Sequence, residues 1–440
     1  MISILRQRNF GLLWIGQVIS VAGDWVLFAS LAFYVYALTG SVLASGAMMI
    51  VSTMPRVMLG SVAGVFVDRW DRRRTMIAAD LGRALVLLPL LAVHTAGDMW
   101  IVYLAAFAEA AIAQFFGPAK NALVPRIVTT EELVRANSAN SVGEQLGRLV
   151  GPAVGGFMLA QLGVQSVVIF DVLSFVVSAA MIALMVVPTA ATRAAAGAAS
   201  PEAVQAARGT VEGAPSASGL QGAATVARAS GAWTVALQVW RELLAGLRLI
   251  RANQVLTALF LLWTISSIGE GLLDVLIVPW VSSVLGGTSI TFGWMMTMQA
   301  IGSIAGGAIL ASAGKTRQAR LLVVLGALGW GVIDLAIFNA DSVAMALALF
   351  VFVGIPIAAM VVSFNALIQS EAPDEYRGRM FGAFGSAAAI ATLAGMAVSS
   401  ALAGRVGIVT MLNVACVTIV VGAAVGGVAL AARPSGRAAT

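Results

Sequence analysis

The chain has 440 residues, of which 60% are hydrophobic and only 10% charged. Soluble domains carry about 25% charged residues, so a soluble globular protein is excluded, and the mean hydropathy of +0.95 agrees. Net charge is +6, but the arginines lie between long apolar runs, which points to orientation in a membrane rather than to nucleic acid.

Twelve apolar segments follow one another, at about 10–38, 42–67, 74–94, 98–118, 136–161, 164–187, 253–283, 288–313, 320–338, 342–367, 380–403 and 407–432. Each reaches the ~17–25 residues that cross a bilayer as a helix. The runs are rich in Leu, Ala and Val, without the alternation of a membrane barrel, so the expected fold is all-α. Placing both termini in the cytoplasm puts 22 of the 26 basic residues on that side and leaves only Arg405 outside. An odd number of spans would destroy that asymmetry. The first span, preceded by Arg6 and Arg8, reads as a membrane helix and not as a cleaved signal peptide.

Charges inside spans are costly and normally face a cavity or a partner. The first span holds Asp24 near its middle and the second holds Arg56. The third holds Asp80 and Arg83, and the fourth Glu109. Glu144 and Arg148 lie four apart on the fifth, at ion-pair spacing, and Asp80 and Arg83 form a similar pair. The sixth span carries Asp171 in its outer third, the seventh Glu270 and Asp274, and the ninth Asp334. Asp24, Glu109 and Glu270 have no partner on their own helix and stand near mid-membrane, where transporters hold substrates and ions. A carboxyl group there can carry a proton. Asp274 reads either as a second acid of that kind or as a residue at the wet outer end of its span, and Arg56 and Arg83 are the expected counter-charges.

Between the sixth and seventh spans, residues 188–252 form the longest polar stretch. Ala194 to Gly231 is rich in Ala, Gly and Ser and reads as a flexible linker. From Trp233 to Arg251, apolar residues recur every three or four positions, which predicts an amphipathic helix on the inner membrane surface. The chain therefore divides into residues 1–187, a linker over 188–252, and residues 253–440. Asn121-Ala122-Leu123-Val124 after the fourth span echoes Asn365-Ala366-Leu367-Ile368 after the tenth, which suggests duplicated halves.

Several chemistries are missing. Ala313-Gly314-Lys315-Thr316 resembles the end of a phosphate-binding loop, but Ile309 stands where that loop needs glycine. The single histidine, His94, lies at the outer end of the third span and reads as an interface residue. Cys416 reads as a small filler of the last span. Neither an enzyme nor a metal or organic cofactor is expected; a proton is the expected coupling ion.

Two motifs add to this. Gly64-Val65-Phe66-Val67-Asp68-Arg69-Trp70-Asp71-Arg72-Arg73 follows the second span. There Gly64 permits close helix approach, Asp68 suits a helix-end contact, and Arg69, Arg72 and Arg73 anchor the inner face. The run resembles the Gly-x-x-x-Asp-Arg-x-Gly-Arg-Arg signature of the major facilitator superfamily, departing from it at Asp71. In the fifth span, Gly147, Gly151, Pro152, Gly155 and Gly156 match the Gly-x-x-x-Gly-Pro-x-x-Gly-Gly pattern of that superfamily's antiporters. Small residues at this spacing let two helices touch, and the proline loosens the helix. Arg8-Asn9-Phe10, Gly23-Asp24-Trp25 and Pro118-Ala119-Lys120-Asn121 are similar to the branch that holds enterobactin and macrolide exporters.

The resemblance implies twelve transmembrane helices in two pseudo-symmetric six-helix bundles that rock about a central site. It also implies proton-coupled antiport of small amphipathic molecules, of the drug, macrolide or siderophore class, out of a bacterial cytoplasm. The expected setting is the inner membrane and the expected state a monomer, with the lipid bilayer and the substrate as partners and no nucleic acid. Lysophospholipid-class transport and proton-coupled import are the alternatives. Trp14, Trp25, Phe28, Phe115, Phe116, Trp263, Phe364 and Phe384 are candidate walls of an apolar pocket.

Overall fold

The computed structural model describes residues 2–67, 69–186, 248, 250–313, 318–372 and 376–431. The linker, most of the expected surface helix, the Gly314–Arg317 run and Asp68 lie outside the described residues. Among those described, every long element is a helix. They are α1 (Arg8–Thr39), α2 (Val42–Val67), α3 (Arg72–Leu87), α4 (Met99–Ile127), α5 (Leu133–Ala183), α6 (Gln254–Pro279), α7 (Ser289–Ala313), α8 (Ala319–Phe338), α9 (Val343–Glu371), α10 (Arg377–Val406) and α11 (Ile408–Ala431). Ten helical stretches among the described residues are long and apolar enough to cross a membrane.

Local chemistry sets the helix ends. Gly40 closes α1 in the left-handed conformation (φ 60°), with its N–H donating to the carbonyl of Tyr36. Only glycine adopts that geometry without penalty. Asn253 caps α6 and Ser342 caps α9, each accepting from backbone N–H groups of the first turn. The fifth and sixth expected spans are two helical arms, taken together as α5, that meet at Gly163, whose φ of 79° and ψ of 172° are not helical. That junction falls where the sequence places a loop.

The two arms of α5 serve different packings. On the first arm, Gly143, Gly147, Gly151 and Gly155 form a groove that receives Trp14, Val18, Val21, Ala22, Trp25 and Val26 of α1. Side chains at these glycines would strike α1, so the groove holds α1 and α5 at close range. Gly156 and Pro152 meet the opposite half instead, at Ser289 and Gly293 of α7. The Ser289 hydroxyl donates to the Gly156 carbonyl at 2.9 Å, and Thr297 donates to the Leu149 carbonyl at 2.9 Å. A third joint packs Gly46 of α2 against Ser400 of α10 and Val275 of α6.

Gly46, Ser289 and Ser400 lie at the ends of their helices remote from the arginine-rich segments 69–74 and 126–135. The halves therefore meet near the arginine-poor end, as well as at mid-helix through Thr297.

Candidate functional site

A cavity of about 480 Å³ lies between the halves. The first half lines it with Asp24 and Trp25 of α1, Thr53 and Arg56 of α2, Arg83 of α3, Glu109 and Gln114 of α4, and Asp171 of α5. The second half supplies Glu270 and Asp274 of α6 and Thr392 and Met396 of α10. Five carboxyl groups and two guanidinium groups thus share one space, with apolar walls such as Phe28, Leu31, Met48 and Met49.

Arg83 organises the first half. Its Nη2 lies 2.6 Å from Asp80 Oδ1, and its Nη1 lies 3.5 Å from Asp24 and 3.7 Å from Glu109. The guanidinium carbon lies over the Phe175 ring, 4.1 Å from its centroid, and over the Phe116 ring, 5.2 Å from its centroid. Aromatic faces favour the cation and keep water away. Exposure separates the three acids. The Asp80 side chain is 0% exposed, that of Glu109 24% and that of Asp24 36%. Asp80 is sealed and anchors the guanidinium, as its i, i+3 spacing predicts, whereas Asp24 and Glu109 open on the cavity.

Glu270 and Asp274 are arranged differently. They stand one turn apart on α6, and the cations whose charge acts on them are Arg148 and Arg56, both from the opposite half. Arg148 also lies 5.2 Å from the Trp25 ring, beside Asp24.

The expected Glu144–Arg148 pair does not form. Glu144 instead accepts from Lys120 of α4 at 3.0 Å, and Arg148 lies over the Trp25 ring. Spacing along one helix gave the wrong partner because a neighbouring helix offered a better-placed ammonium. Nor does Gly64 serve a close approach: an added Cβ there would meet nothing within 4 Å. Of the candidate aromatics, Trp25 and Phe28 line the cavity. Trp14 instead donates its indole N–H to the Ala139 carbonyl, Phe115 stacks on Trp70, and Trp263, Phe364 and Phe384 pack together in the second half.

The loop after α2 acts through Arg73 and Asp71. Arg73 donates to the carbonyls of Ile182 and Ala183, the last residues of α5, where a cation meets the negative end of the helix dipole. Asp71 replaces the glycine of the signature and caps α3, accepting from the Arg74 N–H at 2.8 Å. Asp71 therefore starts a helix where the signature has a flexible turn. Asp171, assigned no role from the sequence, borders the cavity. Its depth along the helix was readable; the direction it faces was not. No pattern in the sequence signals that direction; the contact with Gly23, immediately before Asp24, shows it in the structure.

The Major Facilitator Superfamily profile matches residues 13–273 and 259–440. The uncharacterized MFS-type transporter YfiS of Bacillus subtilis is 27% identical over 426 residues, covering 95% of this chain and 92% of that protein. Macrolide efflux protein A of Streptococcus pyogenes is 25% identical over 411 residues, covering 91% of each. The multidrug efflux pump Tap of Mycobacterium bovis is 31% identical over 170 residues, 36% of this chain and 40% of Tap. Among solved structures, a bacterial homologue of the iron transporter ferroportin in an inward-facing state superposes with a TM-score of 0.68 at 13% identity, covering 95% of this chain and 98% of that one. A bacterial homologue of the human lysosomal transporter Spinster gives 0.67 at 12% identity, covering 96% and 97%.

Proposed function

The chain belongs to the Major Facilitator Superfamily, and we propose that it is a proton-coupled antiporter that exports small amphipathic cations by alternating access. The observation that carries this reading is the shared Arg83 guanidinium: it serves one sealed carboxylate and two that open on the cavity. A cation arriving from the apolar walls competes with Arg83 for Asp24 and Glu109. A proton arriving at the same acids displaces it. Mutually exclusive occupancy of one acid pair is what antiport needs, because a ligand shifts a conformational equilibrium only by its difference in affinity for the two states.

The direction rests on two supports. Relatives that cover most or part of the chain bear the names of efflux proteins. The antiporter-type glycines of α5 join α1 on one side and α7 on the other, so movement of the halves acts on the helix that carries Asp24. With the arginine-rich end in the cytoplasm of a bacterium and the halves joined near the other end, this conformation takes its substrate from inside.

The test is accumulation of ethidium by inside-out membrane vesicles with an acid lumen. Wild type accumulates the dye only while the pH gradient lasts, and Asp24→Asn does not accumulate it. Equal accumulation without a gradient, or by the variant, contradicts the proposal.

A further inference from the structure

Asp171 is the buried acid that the scheme above leaves unused. It stands on the second arm of α5 with 0% exposure, against the backbone of Gly23. The Ser174 hydroxyl lies 2.8 Å from the Asp171 backbone carbonyl and 3.1 Å from its Oδ1, so its one hydrogen is shared between them, and Oδ2 has no hydrogen-bond partner among the described residues. Arg83 is shared by Asp80, Asp24 and Glu109, and no ion pair to Asp171 forms within 4 Å among the described residues. The charged groups that act on it from the neighbouring helices are Asp24 of α1, Glu109 of α4 and Arg83 of α3.

A carboxylate removed from water is tolerated when it is paired and its lone pairs are satisfied. Asp171 has only a share of one hydroxyl, its Oδ2 is unpartnered among the described residues, and the acids Asp24 and Glu109 act on it ahead of the cation Arg83, which three other carboxylates occupy. That environment suits a neutral carboxylic acid. Asp171 also borders the cavity without exposing any of its own surface, so a proton on it is sealed from the open side. A proton that is to cross a membrane must be sealed in this way from one side at a time. The lever for releasing it is short, because Asp171 touches Gly23, the residue before Asp24, while other residues of α1 pack into the glycine groove of the first arm, next to the Gly156 and Pro152 joint with α7.

We infer that Asp171 carries a second transported proton, so that two protons enter for each molecule exported. The inference rests on the proton-antiport reading. With a singly charged cation as cargo, two protons against one positive charge move one net charge per cycle. Transport is then driven by membrane potential as well as by a pH gradient. With Asp171 fixed in neutral form, one proton exchanges for one cation and the potential drops out.

The experiment uses ethidium, a permanent monocation, in inside-out vesicles of wild type and Asp171→Asn. The asparagine keeps the shape and the acceptor for Ser174. Either a lumen-acid pH gradient or a lumen-positive potential is imposed alone. Wild type accumulates dye under both, and Asp171→Asn under the pH gradient only. Potential-driven accumulation by the variant equal to wild type overturns the inference and leaves the antiport reading standing. A wild type inert to both gradients overturns the antiport reading and this inference with it. Infrared difference spectra of the purified full chain, wild type minus Asp171→Asn at neutral pH, show a protonated carboxyl band. Its absence overturns the inference even if the variant fails to transport.

Discussion

The acids of the two halves keep different company. In the first half, Asp24, Asp80 and Glu109 share Arg83 within one bundle, and this cluster persists however the bundles move as bodies. In the second half, Glu270 and Asp274 form no ion pair within 4 Å among the described residues, and the cations whose charge acts on them, Arg56 and Arg148, belong to the other bundle. Those interactions change whenever the halves separate. The first cluster is therefore suited to holding a site together and exchanging its occupant. The second is suited to reporting whether the halves are together. The difference predicts that removing the shared Arg83 charge of the first half damages folding and transport alike, whereas charge removal in the second half damages transport alone.

Arg83→Ala should have the largest effect. It strands three carboxylates, one of them fully sealed, and breaking a buried pair costs about 3–5 kcal/mol. Thermal unfolding in detergent should fall well below wild type, with Arg83→Lys between the two. An Arg83→Ala protein as stable as wild type would remove the distinction between the halves. The α5 groove comes next. Gly151→Val places atoms against Trp25 and Ala22 of α1, and overpacking of this kind costs about 1–3 kcal/mol. Gly64→Val meets open space and serves as its control. Equal melting temperatures for the two variants would show that the groove does not fasten α1.

Glu270→Gln sharpens the comparison from the other side. Glu270 is exposed on the cavity, and exposed substitutions usually change stability by no more than about 0.5 kcal/mol. Melting should stay near wild type while ethidium accumulation falls. A large drop in stability would mean that the cross-half charges are structural after all. The smallest effect belongs to neither cluster. Asp98, in the exposed turn before α4, is held below the usual carboxylate range by the N–H groups of His94 and Thr95 and the Thr95 hydroxyl. A carboxyl so depressed stabilises fully above its unfolded value near 4, and the benefit is lost as pH falls through the folded value. Asp98→Asn should therefore flatten the acid limb of the stability profile and leave transport at neutral pH unchanged.

Much of this was legible in the sequence. The apolar runs mark the helices because backbone in lipid has few options, and the glycines of α5 mark a close contact because small residues at that spacing let two backbones approach. Asp80 and Arg83 pair as their spacing requires. What failed was whatever depends on a neighbouring helix. Glu144 chose Lys120 over Arg148, Gly64 faces open space, and Asp171 turned toward the cavity. One-dimensional spacing gives the height of a residue in the membrane and its face relative to its own helix. It does not give the rotation of that helix within the bundle, which packing sets.

The central claim is that a proton and a cationic substrate exclude each other at Asp24 and Glu109. The most direct measurement is the reciprocal of driven transport: a downhill ethidium gradient is imposed on inside-out vesicles at equal pH, with a pH dye trapped in the lumen. As ethidium enters, the account predicts that the lumen turns alkaline in wild type and stays unchanged in Asp24→Asn. Ethidium entry through the wild-type protein with no change in lumen pH would contradict it.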